Sequence, residues 1–537
     1  MRISASISAA LGLGIALAAQ APMPVHHEIV THGVAAQRAF DRGLALDYGF
    51  NYAEAEREFR RAAALDPSAP MPWWGLALAL GPNLNAPWPS RADELKASDA
   101  LGTARVLAAK LPPSAEAREE HAYIAALTLR FDCQPRPDYP RIAQSYANAM
   151  GRLVASYPDD SDAATLYAAA LMVERHNARY GSLAPPLPPW PTILGVLRGV
   201  LRRWPGHIGA NHFYIHASEG AGDPAQALAS ARLLEKLQAH GFFGDGHLLH
   251  MSAHVYLRTG HYRAAERATL AAAAADRAYL ARNPTDVAYA VGYAQHNLSF
   301  LVTAASMDGD YATALAAAKQ LASSARSTAK AYRSTAANDL APLRVELSFA
   351  RWADILADPP PAGASAGEAV FARYARANAL AGQGRAQPAV GAMRVFLYAL
   401  RQSPRVLISV PSMPRFTAEN LLRSTLEARV AAAQGHYAFA VTQWKQAIAA
   451  QDGLGYREPP AWYPLRESLG SVLLRAGEPA QAAAVFRDCL KHWPNDPRAE
   501  FGLAKSLGAE GQHAAAMVAM RAFRAEWKGG PLRLADF

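Results

Sequence analysis

The chain reads as an all-α solenoid of helical hairpins, and three observations predict it. Gly43, Ala55, Phe59 and Pro67 recur with identical spacing as Gly470, Ala482, Phe486 and Pro494. A Gly-x4-Ala turn recurs at Gly222/Ala227, Gly260/Ala265, Gly309/Ala314, Gly384/Ala389, Gly435/Ala440, Gly477/Ala482 and Gly511/Ala516. The segments between these turns are alanine-rich with helical apolar spacing, and no alternating strand pattern interrupts them. Small residues let the two helices of a hairpin approach closely, an aromatic fills the next interface, and proline stops the second helix.

These quartets and turns resemble the tetratricopeptide repeat family. The resemblance covers most of the chain, best at about 36–80 and 430–525 and weakest at 110–205. It implies a right-handed superhelix whose concave groove binds partners. The string "NHFYIHA", "HLLHMSAHVY", "AQHNLSFL", "YREPPAWYP" also resembles exported bacterial proteins of this family with a His-rich central region, and implies no named reaction.

The N-terminus has one arginine, an apolar small-residue stretch and Ala16-Leu17-Ala18, which fits a cleavage site. It reads as a signal peptide over 1–18 and predicts a periplasmic or secreted protein with no membrane span after cleavage. The remaining divisions are N-terminal repeats over 34–110, degenerate central repeats over 111–350, a linker or long loop over 351–369 and C-terminal repeats over 370–530. "ADPPPAGASAGEA" marks the linker.

At 537 residues the chain exceeds one ordinary core, which suits a repeat array. Net charge is +9, but acidic residues intersperse the basic ones and no aromatic-flanked basic stripe exists, so nucleic acid is excluded as a partner. The densest basic run, "LRGVLRRWPGH", reads as a solvated helix face. Cys133 and Cys489 allow at most one disulfide, and their pairing stays open. No nucleophile elbow, P-loop, HExxH or EF-hand loop is present.

The histidines carry the chemistry. His212 and His250 lie ten positions before Gly222 and Gly260, and His216 and His254 lie six before them. His247 and His296 lie thirteen before Gly260 and Gly309. Six histidines thus occupy three repeat positions on one helix stripe. A His pair at i, i+4 can hold one metal ion. Candidate metal ligands are His212, His216, Glu219, His250, His254 and His296, forming one crowded site or two adjacent ones. An imidazole-rich, thiolate-free set suits Cu, Zn or Fe and argues against Ca or Mg; affinity order favours Cu(II).

His247 is expected as a further ligand or a supporting group, and Asn211 and Asn297 either orient the rings by hydrogen bonds or serve as caps and structural residues. Tyr456, Glu458 and Trp462 are placed over the groove as a lid, or between two repeats as packing. Asn83 and Asn85 read as a turn. His26 and His27 fall in a segment expected to be flexible. The leading function is a metal site in the groove, with oxidation preferred over hydrolysis if it is an enzyme. A metal carrier and a metal-free scaffold binding a small molecule or peptide are the alternatives.

Overall fold

The computed structural model describes residues 25–86, 89–177, 189–239, 246–330, 338–357, 365–402, 415–454 and 463–537. Among these no strand occurs, and the chain is a solenoid of antiparallel helical hairpins. The first hairpin pairs Val34–Tyr48 with Tyr52–Leu65. Three later hairpins carry or follow the histidines: Ile208–Gly220 with Leu228–Ala239, Gly246–Arg258 with Tyr262–Arg282, and Gln295–Asp308 with Tyr311–Thr328. The last two are Leu465–Arg475 with Pro479–His492 and Pro497–Ala509 with His513–Glu526.

The turn motif does what its residue types require. All seven predicted turn glycines have positive φ, from 73° to 92°. Only glycine takes that backbone conformation without a Cβ penalty. The paired alanines at 227, 265, 314, 389, 440 and 482 are fully buried, where two helices touch.

The aromatic of the quartet fills the groove between repeats. A Cβ on Gly43 or Gly75 would lie 2.7 or 2.4 Å from the Phe59 ring, and one on Gly470 or Gly502 would lie 2.6 or 2.1 Å from Phe486. Each phenyl ring is therefore seated between two glycines of successive repeats, in a core packed to crystal-like density. Pro67 and Pro494 each follow a helix that has just ended.

Two features depart from the sequence reading, and a third answers what it left open. Residues 25–32 are not a loose leader. His27 N donates to Asp41, Ile29 N to Gln37, Val30 N to Glu120 and His32 N to Asp66. The region expected as a linker over 351–369 holds a helix, Trp352–Ala357, whose buried Trp352 packs under Gly382. Cys133 is half-buried, Cys489 is buried, and both are free thiols.

The array also folds back on itself. The turn at Gly260 abuts the Pro494 carbonyl, and Tyr262 Oη donates to that oxygen at 2.9 Å. Lys528 Nζ sits 2.9 Å from Asp308 and also pairs with Glu266. At the other side the first hairpin meets the Ile208–Gly220 helix through Tyr48 and Phe50. The histidine-bearing helices are thus clasped by both ends of the solenoid.

Candidate metal centre

The histidine stripe falls on the first helices of three successive hairpins, and adjacent ones touch. His212 and His216 stand on Ile208–Gly220, His247, His250 and His254 on Gly246–Arg258, and His296 on Gln295–Asp308. An i, i+4 pair shares one helix face, so each pair points at the neighbouring helix.

The six rings divide into two groups. One is His212, His216 and His247; the other is His250, His254 and His296. In each, one ligand atom from every residue lies within 4.8 Å of the others. The division follows the repeat. Each group takes the ring ten before a turn glycine, the ring six before it, and the ring thirteen before the next turn glycine. They are two copies of one arrangement built between successive repeats. His247 and His250 connect them, with ring centroids 5.8 Å apart.

The nitrogens facing inward are identified by what stands behind them. His212 Nδ1 lies 2.6 Å from the Tyr48 carbonyl oxygen, which can only accept, so Nδ1 carries the proton. Its Nε2 faces His216 Nε2 at 3.1 Å. His254 Nδ1 lies 3.2 Å from both Glu219 oxygens, so this ring also carries its proton on Nδ1. Its Nε2 faces His250 Nε2 at 2.8 Å. Two imidazole nitrogens on one tetrahedral ion sit about 3.3 Å apart, given metal–nitrogen bonds of about 2.0–2.1 Å.

Burial, and then repulsion among the neighbouring imidazoles, holds His212, His247 and His250 well below the ordinary histidine range. They are neutral at physiological pH and offer lone pairs, as metal ligation requires. His212, His247, His250 and His254 are all buried.

The other predicted residues are placed as follows. Glu219 stands behind His254 rather than inside either group of three, with Arg258 4.0 Å from it. His247, expected as a further ligand or supporting group, is the third ring of the first group. Asn297 Nδ2 donates to Asp276 at 2.8 Å, and Tyr289 Oη donates to the same carboxylate. Asn297 also pulls the His250 pKa upward, against the larger lowering effects of burial and the neighbouring imidazoles. Asn211 is turned away: its amide donates to the carbonyls of Pro205 and His207, a capping role. Asn83 accepts from the backbone of Asn85 and Ala86, closing a turn. Tyr456, Glu458 and Trp462 lie outside the described residues.

Several site residues escaped sequence reasoning. Phe50 lies against the rings of the first group, and Phe300 against those of the second. Tyr293 meets His247 edge to face at 5.2 Å. The helix enters this region through a π-turn, Ala290–Ala294, which shifts the register just before His296. A glycine missing from one repeat turn was the available signal for Phe50; none pointed to the π-turn.

A third group, His27, Asp160 and Asp162, is of another kind. Asp162 takes His27 and His207 at 3.1 Å each and Tyr48 Oη at 2.6 Å, while Asp160 accepts from Tyr123 and two backbone N–H groups. Hydrogen-bonded partners already fill it, and Asp162 raises the His27 pKa to about 9 against the cost of burial. It ties down the N-terminal segment.

Among comparisons with known proteins, the tetratricopeptide repeat family profile matches residues 464–506. No relative among curated proteins matches the sequence. Similar solved structures include a human IFIT1 dimer with PPP-AAAA, at 12% identity and TM-score 0.28, covering 93% of this chain and 96% of that one. Yeast Tom70 is similar at 10% identity and TM-score 0.25, covering 90% and 96%. Superpositions at those scores carry no argument about function. Among the described residues no helix is long and apolar enough to cross a membrane.

Proposed function

We propose that this tetratricopeptide-type repeat protein binds two transition-metal ions, one in each tri-imidazole group. The observation that supports the reading most is the tautomer pattern. Tyr48 and Glu219 hold the ring protons of His212 and His254 on the outside, so their Nε2 lone pairs converge on neighbouring histidines. Such outward hydrogen bonds are the usual support of metal-bound imidazoles. Three imidazole nitrogens without a thiolate suit Cu, Zn or Fe, and Cu(II) leads on affinity. Three protein ligands leave a position for water or a small substrate.

A scaffold whose groove is merely lined by histidines is less well supported, because four of the six rings are buried where a peptide would need them exposed. Between enzyme and carrier, the site favours a metalloenzyme, since three ligands leave an exchangeable position and two ions stand side by side. Oxidation then ranks above hydrolysis. The N-terminal pattern supports export to the periplasm or beyond, where copper or zinc would be acquired.

The test is metal content by mass spectrometry on untagged protein, with His216→Ala and His254→Ala beside it. Two ions per wild-type chain and one in each variant is the expected result. No metal in the wild type, even after reconstitution with Cu2+ or Zn2+, sinks the reading.

A further inference from the structure

The two tri-imidazole groups are copies of each other, yet their aromatic walls come from different places. Phe300 follows His296 by one helical turn, and its ring lies 4.5, 4.4 and 5.0 Å from those of His250, His254 and His296. One repeat earlier the matching position, four after His247, is Met251, which has no ring. The ring against His212, His216 and His247 is instead Phe50, at 4.5, 5.7 and 5.0 Å.

Phe50 comes from the turn of the first hairpin. Phe50-Asn51-Tyr52 aligns with Gly260-His261-Tyr262, Gly309-Asp310-Tyr311 and Gly435-His436-Tyr437. Its φ is 61°, beside 74°, 92° and 80° at those glycines. A phenylalanine is strained in that left-handed region, and a glycine at the same place would not be. The ring is nevertheless buried. Strain that persists where the repeat offers an easy alternative points to a use for the side chain. Phe50 also lines a small cleft of about 30 Å³, with Asp47, Tyr52, Arg130 and Tyr146 around it. Among the described residues nothing hydrogen-bonds the buried Asp47 Oδ1, so the cleft has an unmet polar acceptor in its wall and room for about one water.

We infer that Phe50 is the wall between this cleft and the first tri-imidazole site, so that it sets how fast water reaches that ion alone. The second site is walled by its own repeat. The inference rests on the two-ion reading above. It makes exchange at the His212–His216–His247 site the step that Phe50 governs.

The experiment loads the full chain with two equivalents of Cu2+ and strips it with EDTA after rapid mixing. Wild type, Phe50→Leu and Phe50→Ala are compared; leucine retains most of the apolar volume. One ion is expected to leave at least tenfold faster in Phe50→Ala and at an intermediate rate in Phe50→Leu, while the other keeps its rate. The fast phase should vanish in Phe50→Ala/His216→Ala, which assigns it to the first group. Deuterium modulation of the Cu2+ spin echo in D2O should grow at one ion only, which general loosening does not produce. Unchanged rates for both ions in both variants, or equal acceleration of both, overturn the inference and leave the two-ion reading standing. A wild-type chain that holds no Cu2+ overturns that reading and this inference together.

Discussion

His254 illustrates how a residue's role depends on what stands behind it. The carboxylate of Glu219 holds Nδ1–H, so Nε2 is the only nitrogen left to face His250. Glu219→Ala is expected to leave both tri-imidazole groups in place and weaken binding of one ion about 10–100-fold, read by competitive titration. Unchanged affinity would remove Glu219 from the site. His27 gives a pH prediction. Its folded pKa is about 9 against 6.5 unfolded, so folding favours its protonated form. The stabilisation is full below 6.5 and is lost as pH rises through about 9. The shift corresponds to on the order of 3 kcal/mol. Asp160, Asp162, Glu119 and Glu120 face the same ring, and the two glutamates, pushed up to about 7, titrate on their own account. The useful quantity is therefore the gap between wild type and His27→Gln. Urea unfolding should show that gap large at pH 6 and nearly closed at pH 9.5; a gap that widens with pH would refute the ion pair.

Elements here are copies, and departures from the copy are informative. Seven turns place glycine in the left-handed region, whereas Phe50 and Ala350 occupy the same region without it, at φ 61° and 51°. Ala350 touches none of the imidazoles, so its strain has no counterpart in the site. Ala350→Gly is expected to stabilise the protein by about 1 kcal/mol, measured by denaturant midpoint, with metal content unchanged. The π-turn before His296 is the other departure. It arises where Tyr289 is held by Asp276 and Tyr293 meets His247, contacts that no helical periodicity encodes.

For the whole molecule, closure decides how rigid the central repeats are. Gly260 serves twice: its φ is 74°, and an added Cβ would lie 2.1 Å from the Pro494 carbonyl oxygen. Gly260→Ala should therefore cost more than backbone strain alone, about 2–4 kcal/mol, because a backbone carbonyl cannot step aside. Calorimetry should also show the C-terminal repeats melting earlier than the centre. A single unshifted transition would mean that this contact contributes nothing to closure.

The sequence alone determined the helical hairpins, their turns and the shared register of six histidines. Each of these is local, repeating chemistry: glycine where φ is positive, alanine where helices touch, imidazole at one helix face. It also placed Glu219 and Asn297 near the rings, since both share helices with them. Only the tertiary structure decided how the rings partition. His247 joins the preceding repeat and His296 the one before its own, because a ligand set that spans two helices depends on how repeats pack. Phe50, the Tyr48 carbonyl and the His27–Asp162 pair come from segments more than a hundred residues from their partners. No periodicity reports such contacts; the curvature of the whole solenoid brings them together.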